Sequence, residues 1–195
     1  MGGSPVLVLL GPAHRAPGAA VVASSSDAFA TPLGLVRVDV ERRDALVAAG
    51  LAAVDDNAHA GEHSLEVQLP FLQVALGDVA VLPLAVGQVD PRHVAGVLET
   101  VWGGDETLVA VSTDLSHYHD HQTATQLDRR TAAEVVAGRP DRLGPYDACG
   151  VVPLQGLLLT AALHDLQVEL LDLRTSADTA GDPDRVVGYG AFALA

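Results

Sequence analysis

The stretch Pro5-Val-Leu-Val-Leu-Leu-Gly-Pro-Ala-His14 decides how this chain is read. Its apolar run is continuous rather than alternating, and it stops at a Gly-Pro pair within a few residues. That pattern describes a strand buried on both faces. Strands of this kind belong to sheets covered by helices on either side. A histidine directly after such a strand stands where open α/β sheets build their sites.

Working outward, similar runs at Val79 to Val86, Thr107 to Ser112, Val168 to Leu173 and Val186 to Leu194 read as further buried strands. Segments with helical spacing lie between them, at Val40 to Ala49, Ser64 to Leu76, Pro91 to Trp102, Gln122 to Ala137 and Val151 to Leu163. The alternation predicts an α/β fold, a three-layer sandwich with a mostly parallel central sheet, as one domain over residues 1–195. The punctuation agrees. Asp90-Pro91 caps and opens one helix, Gly50 and Gly138 follow two others, and Ser176 to Asp184 reads as a loop. Trp102, Phe29, Phe71 and Phe192 are expected to be packing residues.

Composition narrows the function. About half of the 195 residues are apolar (49%), enough for one core, yet no run approaches the roughly 20 residues of a membrane span. The net charge of -14 sets 25 acidic residues against 11 basic ones, all Arg, which excludes a nucleic-acid partner. Absence of Lys beside abundant Ala, Val, Gly and Arg suggests GC-rich coding and a bacterial source. The opening Met1-Gly-Gly-Ser-Pro5 has no basic region of the secretory kind, and the lone Cys149 allows no intrachain disulfide. A reducing cytoplasm is the expected location.

Titratable groups gather at four places. His14 follows the first strand; taken alone, such a histidine is usually structural or merely exposed. His59-Ala-Gly-Glu62-His63-Ser-Leu-Glu66 matches the H-x-x-E-H pattern of inverted zinc peptidases, which needs His59 and His63 on one helical face and Glu62 beside the zinc-bound water. Gly61 weakens that helix and apolar periodicity starts only at Leu65, so His59 to His63 read as an entry loop. Ser112-Thr-Asp114-Leu-Ser-His117-Tyr118-His-Asp-His121 follows another strand. Its plain reading is a solvated loop, but Asp114 and His117 also suit a base and its orienting carboxylate. Asp147-Ala-Cys149-Gly150 opens a helix, where the dipole favours the thiolate that binds metals, although an inert buried thiol is equally compatible with one Cys.

In this order the clusters resemble those of the Memo family, also called system protein B of the AMMECR/Memo/radical-SAM (AmmeMemoRadiSam) gene group. The matching segments are Leu10-Gly-Pro-Ala-His14, Glu62-His-Ser-Leu-Glu-Val-Gln-Leu-Pro-Phe71, Ser112-Thr-Asp-Leu-Ser-His-Tyr118, and Cys149-Gly150 with Pro153. The resemblance implies a fold similar to class III, or LigB-like, extradiol dioxygenases, with a non-haem metal at the sheet edge. It implies His14 and Cys149 as metal ligands, the Cys replacing the dioxygenase carboxylate. Asp114 and His117 match pocket residues, His117 standing where the dioxygenases hold a proton-transfer histidine; Glu62, His63 and Tyr118 are further pocket candidates. Family members carry an upstream strand ending in a Pro-His-Ala-Gly-Tyr-like segment that supplies a first His ligand. This chain begins after that point, so an N-terminally truncated domain lacking its first strand is expected, with His63 or His117 as stand-in ligands.

The resulting expectation is a metal-binding protein with oxidoreductase chemistry, holding Fe(II), or alternatively Cu or Zn, and no organic cofactor. Its partner would be a small molecule or peptide rather than nucleic acid or membrane. Two other readings stay open: a non-catalytic binding module with a degraded metal site, and the zinc peptidase at His59–His63.

Overall fold

The computed structural model describes residues 5–15, 18, 20–179 and 181–195. The chain divides into two compact units, one reaching to Ser112 and the other running from Thr113 to Ala195. The first contains, in order, β1 (Val6–Pro12), β2 (Val21–Ala23), β3 (Ala28–Thr31), β4 (Gly34–Arg37), α1 (Val40–Ala48), β5 (Ala53–Val54), α2 (Asp56–Ala60), α3 (Leu69–Leu76), β6 (Ala80–Val86), α4 (Pro91–Val101) and β7 (Thr107–Val111). The second contains β8 (His117–His119), α5 (His121–Val136), α6 (Val151–Leu163), β9 (Val168–Thr175) and β10 (Val186–Leu194).

In the first unit β1 pairs in parallel with β6 and β7, and all seven of its residues are buried. β2 runs antiparallel to β6 and carries β5 in parallel, which gives the order β5-β2-β6-β1-β7. The fold is therefore α/β with a mixed, mostly parallel central sheet flanked by helices. Successive side chains of β1 alternate between its faces. Leu7 and Leu9 join Val81, Ala85, Val36, Leu65 and Leu69 in one core cluster, with Phe29, Leu72 and Ala110 packed at its edge. Val6, Val8 and Leu10 point to the other face. Helix α4 buries Val94, Val97, Leu98 and Val101, the i, i+3, i+4, i+7 stripe of an amphipathic helix, and α1 packs against both α4 and β6.

Helix ends fall where the caps place them. Asp39, Asp90 and Asp120 each accept a backbone N–H in the first turn of α1, α4 and α5, and Gly50 and Gly138 adopt positive φ (69° and 61°) just past α1 and α5. Asp120 also takes the Thr123 hydroxyl. One expected helix differs: Ser64 to Leu76 begins as a 3-10 turn at Glu66–Gln68 and becomes α-helical only at Leu69, with Pro70 in its first turn.

The second unit departs further from expectation. Val168 to Leu173 and Val186 to Leu194 do not extend the parallel sheet; β9 and β10 pair antiparallel, with β8 on the far side of β10, in the order β8-β10-β9. The physical reason is the connection. Only ten positions separate Thr175 from Val186, with a 3-10 turn at Ser176–Asp178, whereas a parallel pairing needs a crossover of about a dozen residues or more. β9 is accordingly mostly exposed, with α5 packed against β9 and β10. Phe71 also departs from its expected packing role, at 74% exposed. Among the described residues no helix is long and apolar enough to cross a membrane.

Candidate functional site

The donors singled out from sequence form two groups, one within each unit: His14, Glu62 and His63, and Asp114, His117 and Cys149. In each group, one ligand atom per residue lies within 4.8 Å of the others.

The first group is organised by Glu62, whose carboxylate is buried behind the end of β1. Its Oε2 accepts the His14 backbone N–H at 2.6 Å. Its Oε1 accepts the backbone N–H groups of His63 and Ser64, both at 2.9 Å, and lies 3.0 Å from the His14 ring Nδ1. The Ser64 hydroxyl donates to the Pro12 carbonyl at 3.1 Å, tying this loop to the strand end. Gly11 permits that approach: a Cβ there would sit 2.7 Å from Ser64 Oγ. The His63 ring stacks on His14 with centroids 5.4 Å apart and planes 11° apart.

Burial works against ionisation of Glu62, but donation from the His14 ring and from the Ser64 and His14 backbone outweighs it. The carboxyl is pulled down from its ordinary 4.5 to about 2. Because the folded value lies below the unfolded one, the stabilisation is complete above about pH 4.5 and is lost as pH falls through 2. It amounts to about 3 kcal/mol at most. In metal-free protein, the unfolding free-energy gap between wild type and Glu62→Gln is therefore expected to close over that window in denaturant titrations at stepped pH. A gap that stays constant down to acid would contradict it.

The second group rests on a reciprocal clasp between Asp114 and Cys149. The Cys149 N–H donates to the Asp114 carbonyl at 3.1 Å, and the Asp114 N–H donates to Cys149 Sγ at 3.2 Å. Thr113 completes it: its Oγ1 accepts the Gly150 N–H at 2.7 Å, lies 3.6 Å from Sγ, and donates to the Asp114 carbonyl at 2.9 Å. The sulfur thus sits at the residue before the Gly150 cap of α6. His117 Nε2 lies 3.5 Å from Asp114 Oδ2. Sulfur, imidazole and carboxylate make a donor set suited to a first-row metal, and a spread within 4.8 Å is compatible with the roughly 3.4–3.8 Å between ligands around a tetrahedral ion.

Tyr118 follows His117 within β8 with φ of 64°, a left-handed conformation unusual for an aromatic residue. The Arg185 guanidinium lies 4.3 Å from its ring centroid. Tyr189 of β10 escaped the sequence reading. Burial first, and then the charge of Asp114, raise its hydroxyl above the usual tyrosine range. Thr113 lies inside the Ser112–Tyr118 segment, whereas Arg185, directly before β10, and Tyr189 within it carry no motif of their own and enter through that strand.

His59 does not join His63. It lies in α2, not in a loop, and that helix ends at Ala60. Its Nε2 is 3.1 Å from the Val22 carbonyl and its buried ring meets Phe29 edge-on, so the side chain is engaged in packing around β2 and β3. A helical face presenting His59 and His63 together, as the peptidase reading needs, is not formed.

A sequence model of the Memo-like protein family matches residues 3–193. A MEMO1 family protein of Methanopyrus kandleri is 37% identical over 200 residues, covering 95% of this chain and 71% of the relative. One from Pyrobaculum aerophilum is 34% identical over 203 residues, covering 96% and 71%. One from Aquifex aeolicus is 34% identical over 199 residues, covering 94% and 73%.

Proposed function

Because this chain belongs to the Memo-like protein family, we propose that it is a metal-binding protein in which Cys149 and His14 are ligands and His117, backed by Asp114, moves protons. The observation that supports the roles of Cys149, His117 and Asp114 is the convergence of their sulfur, imidazole and carboxylate, while the role of His14 rests on the family's Gly-Pro-x-His segment. The likeness of the family to LigB-like extradiol dioxygenases makes Fe(II) the first metal to test, with Cu and Zn next. A bound ion of this kind would supply Lewis-acid polarisation and, for iron or copper, one-electron chemistry.

The residues themselves contribute the rest. Asp114 sits within ion-pair reach of His117 and favours the imidazole orientation that accepts a proton from a bound ligand. The cation of Arg185, stacked on Tyr118 beside His117, suits a small molecule or peptide carrying an acidic group. A second reading follows from the same convergence: His117 serves as a ligand beside Cys149 rather than as a proton carrier.

The test is elemental analysis of protein purified without added metal, together with thermal shifts on adding Fe(II), Cu or Zn. Wild type is expected to hold metal and His14→Ala to lose most of it. His117→Ala separates the two readings, keeping metal if the residue carries protons and losing it if it is a ligand. A wild-type protein that is empty and shows no thermal shift with any of the three would leave the non-catalytic binding module in its place.

A further inference from the structure

His14, Glu62 and His63 bring three metal-capable side chains together, and the group could be taken for a ligand triad. The hydrogen bonds argue otherwise. Glu62 already receives four donors: the His14 N–H, the His14 ring, and the N–H groups of His63 and Ser64. A carboxylate offers about four lone-pair sites, and only 1% of this side chain is exposed. Oε1 takes three of these donors and Oε2 one, so this buried carboxylate is spent on its own neighbours rather than presented to an ion.

We infer that Glu62 is a positioning residue that grips His14 at its backbone N–H and its ring Nδ1 at once, holding the neutral imidazole in the Nδ1–H form with Nε2 as its metal-binding atom. The inference rests on the proposed role of His14 as a ligand and adds which nitrogen binds and what selects it. An ionised carboxylate can only accept, so the nitrogen 3.0 Å from Oε1 must carry the hydrogen. The lone pair of the neutral ring is then on Nε2, at the ring edge away from Glu62. The two-point grip matters as much as the tautomer: with Oε2 held by the backbone of the same residue at 2.6 Å, rotation of the ring would break a buried charge-assisted bond. His63, stacked on the ring, further limits its tilt. Carboxylates behind metal-binding histidines work in this way in general, and removing them weakens metal binding by roughly 10–100-fold.

The test begins with metal-free wild type, in which long-range nitrogen–proton NMR correlations of the imidazoles at alkaline pH report the tautomer directly. His14 is expected to show a protonated Nδ1 and a bare Nε2. In Glu62→Gln the amide can accept or donate, so the two tautomers should mix and zinc affinity, measured by competition with a chelating dye, should fall by roughly 10–100-fold. A wild-type His14 protonated on Nε2 would overturn the inference without recourse to any variant. So would a Glu62→Gln protein with unchanged tautomer and zinc affinity while His14→Ala loses zinc, and that pattern would leave the ligand role of His14 standing. If instead the tautomer is as expected and shifts in Glu62→Gln, but wild type binds neither zinc, iron nor copper, the positioning stands and the metal-binding proposal falls.

Discussion

Cys149→Ser is expected to empty the protein of metal while leaving it folded. The two side chains are nearly isosteric, and the serine Oγ can accept the Asp114 N–H as Sγ does at 3.2 Å. The Cys149 N–H bond to the Asp114 carbonyl belongs to the backbone and survives. Neighbouring Thr113 keeps its bond to Gly150, so the start of α6 should be unaffected. What is lost is the soft, anionic donor: a hydroxyl stays protonated at neutral pH and is a poor ligand for iron, copper or zinc. Metal content should drop to roughly a tenth of wild type or less, the order expected when a direct ligand rather than its supporting partner is removed. Elemental analysis beside circular dichroism separates loss of metal from loss of fold. A folded variant with wild-type metal stoichiometry would remove Cys149 from the ligand set.

Gly188→Ala should cost about 3–5 kcal/mol of stability, through overpacking combined with an orphaned buried N–H. A Cβ at this position of β10 would fall 1.9 Å from Asp128 Oδ2 and 2.5 Å from Cγ. Neither side can give way cheaply. Asp128 lies in α5 at 1% exposure, and its Oδ1 accepts the Ser116 N–H at 2.9 Å, so swinging the carboxylate aside strands a buried donor. The β10 backbone is held in turn, since the Gly188 N–H donates to the Ser116 carbonyl at 2.8 Å and the Leu115 N–H donates to the Gly188 carbonyl at 2.9 Å. These same bonds anchor the segment that leads into His117, so the substitution should disturb the site as well as the fold. Denaturant midpoints give the size of the effect. Combining it with Asp128→Ala should cost less than the two single losses added together, because the clash and its partner are removed as a pair. A Gly188→Ala protein within about 0.5 kcal/mol of wild type would show that the contact yields freely.

Much of the fold was legible because its signals act over a few residues. The continuous apolar run Val6 to Leu10 announced a strand buried on both faces, and β1 is fully buried. Asp39, Asp90 and Asp120 sit at helix starts because a short acidic side chain satisfies first-turn N–H groups that nothing else reaches. The antiparallel pairing of β9 with β10 was less legible, since a strand's own composition does not name its neighbour and the short connection had to be weighed against the apolar pattern. Tyr189 and Arg185 were passed over for the same reason: each is unremarkable along the chain and enters through a contact made elsewhere.

What the sequence determined by itself is the α/β class, the ends of most helices, the family, and which side chains are chemically able to hold a metal or move a proton. The partnership of those side chains was decided only by tertiary structure. Glu62 reaches His14 across 48 positions and Asp114 meets Cys149 across 35, while His59, four residues from His63, turns away into the packing against Val22 and Phe29. Propensity and capping energies fall off within a turn of helix, whereas a hydrogen bond between distant segments forms only once strand order and register have laid those segments side by side.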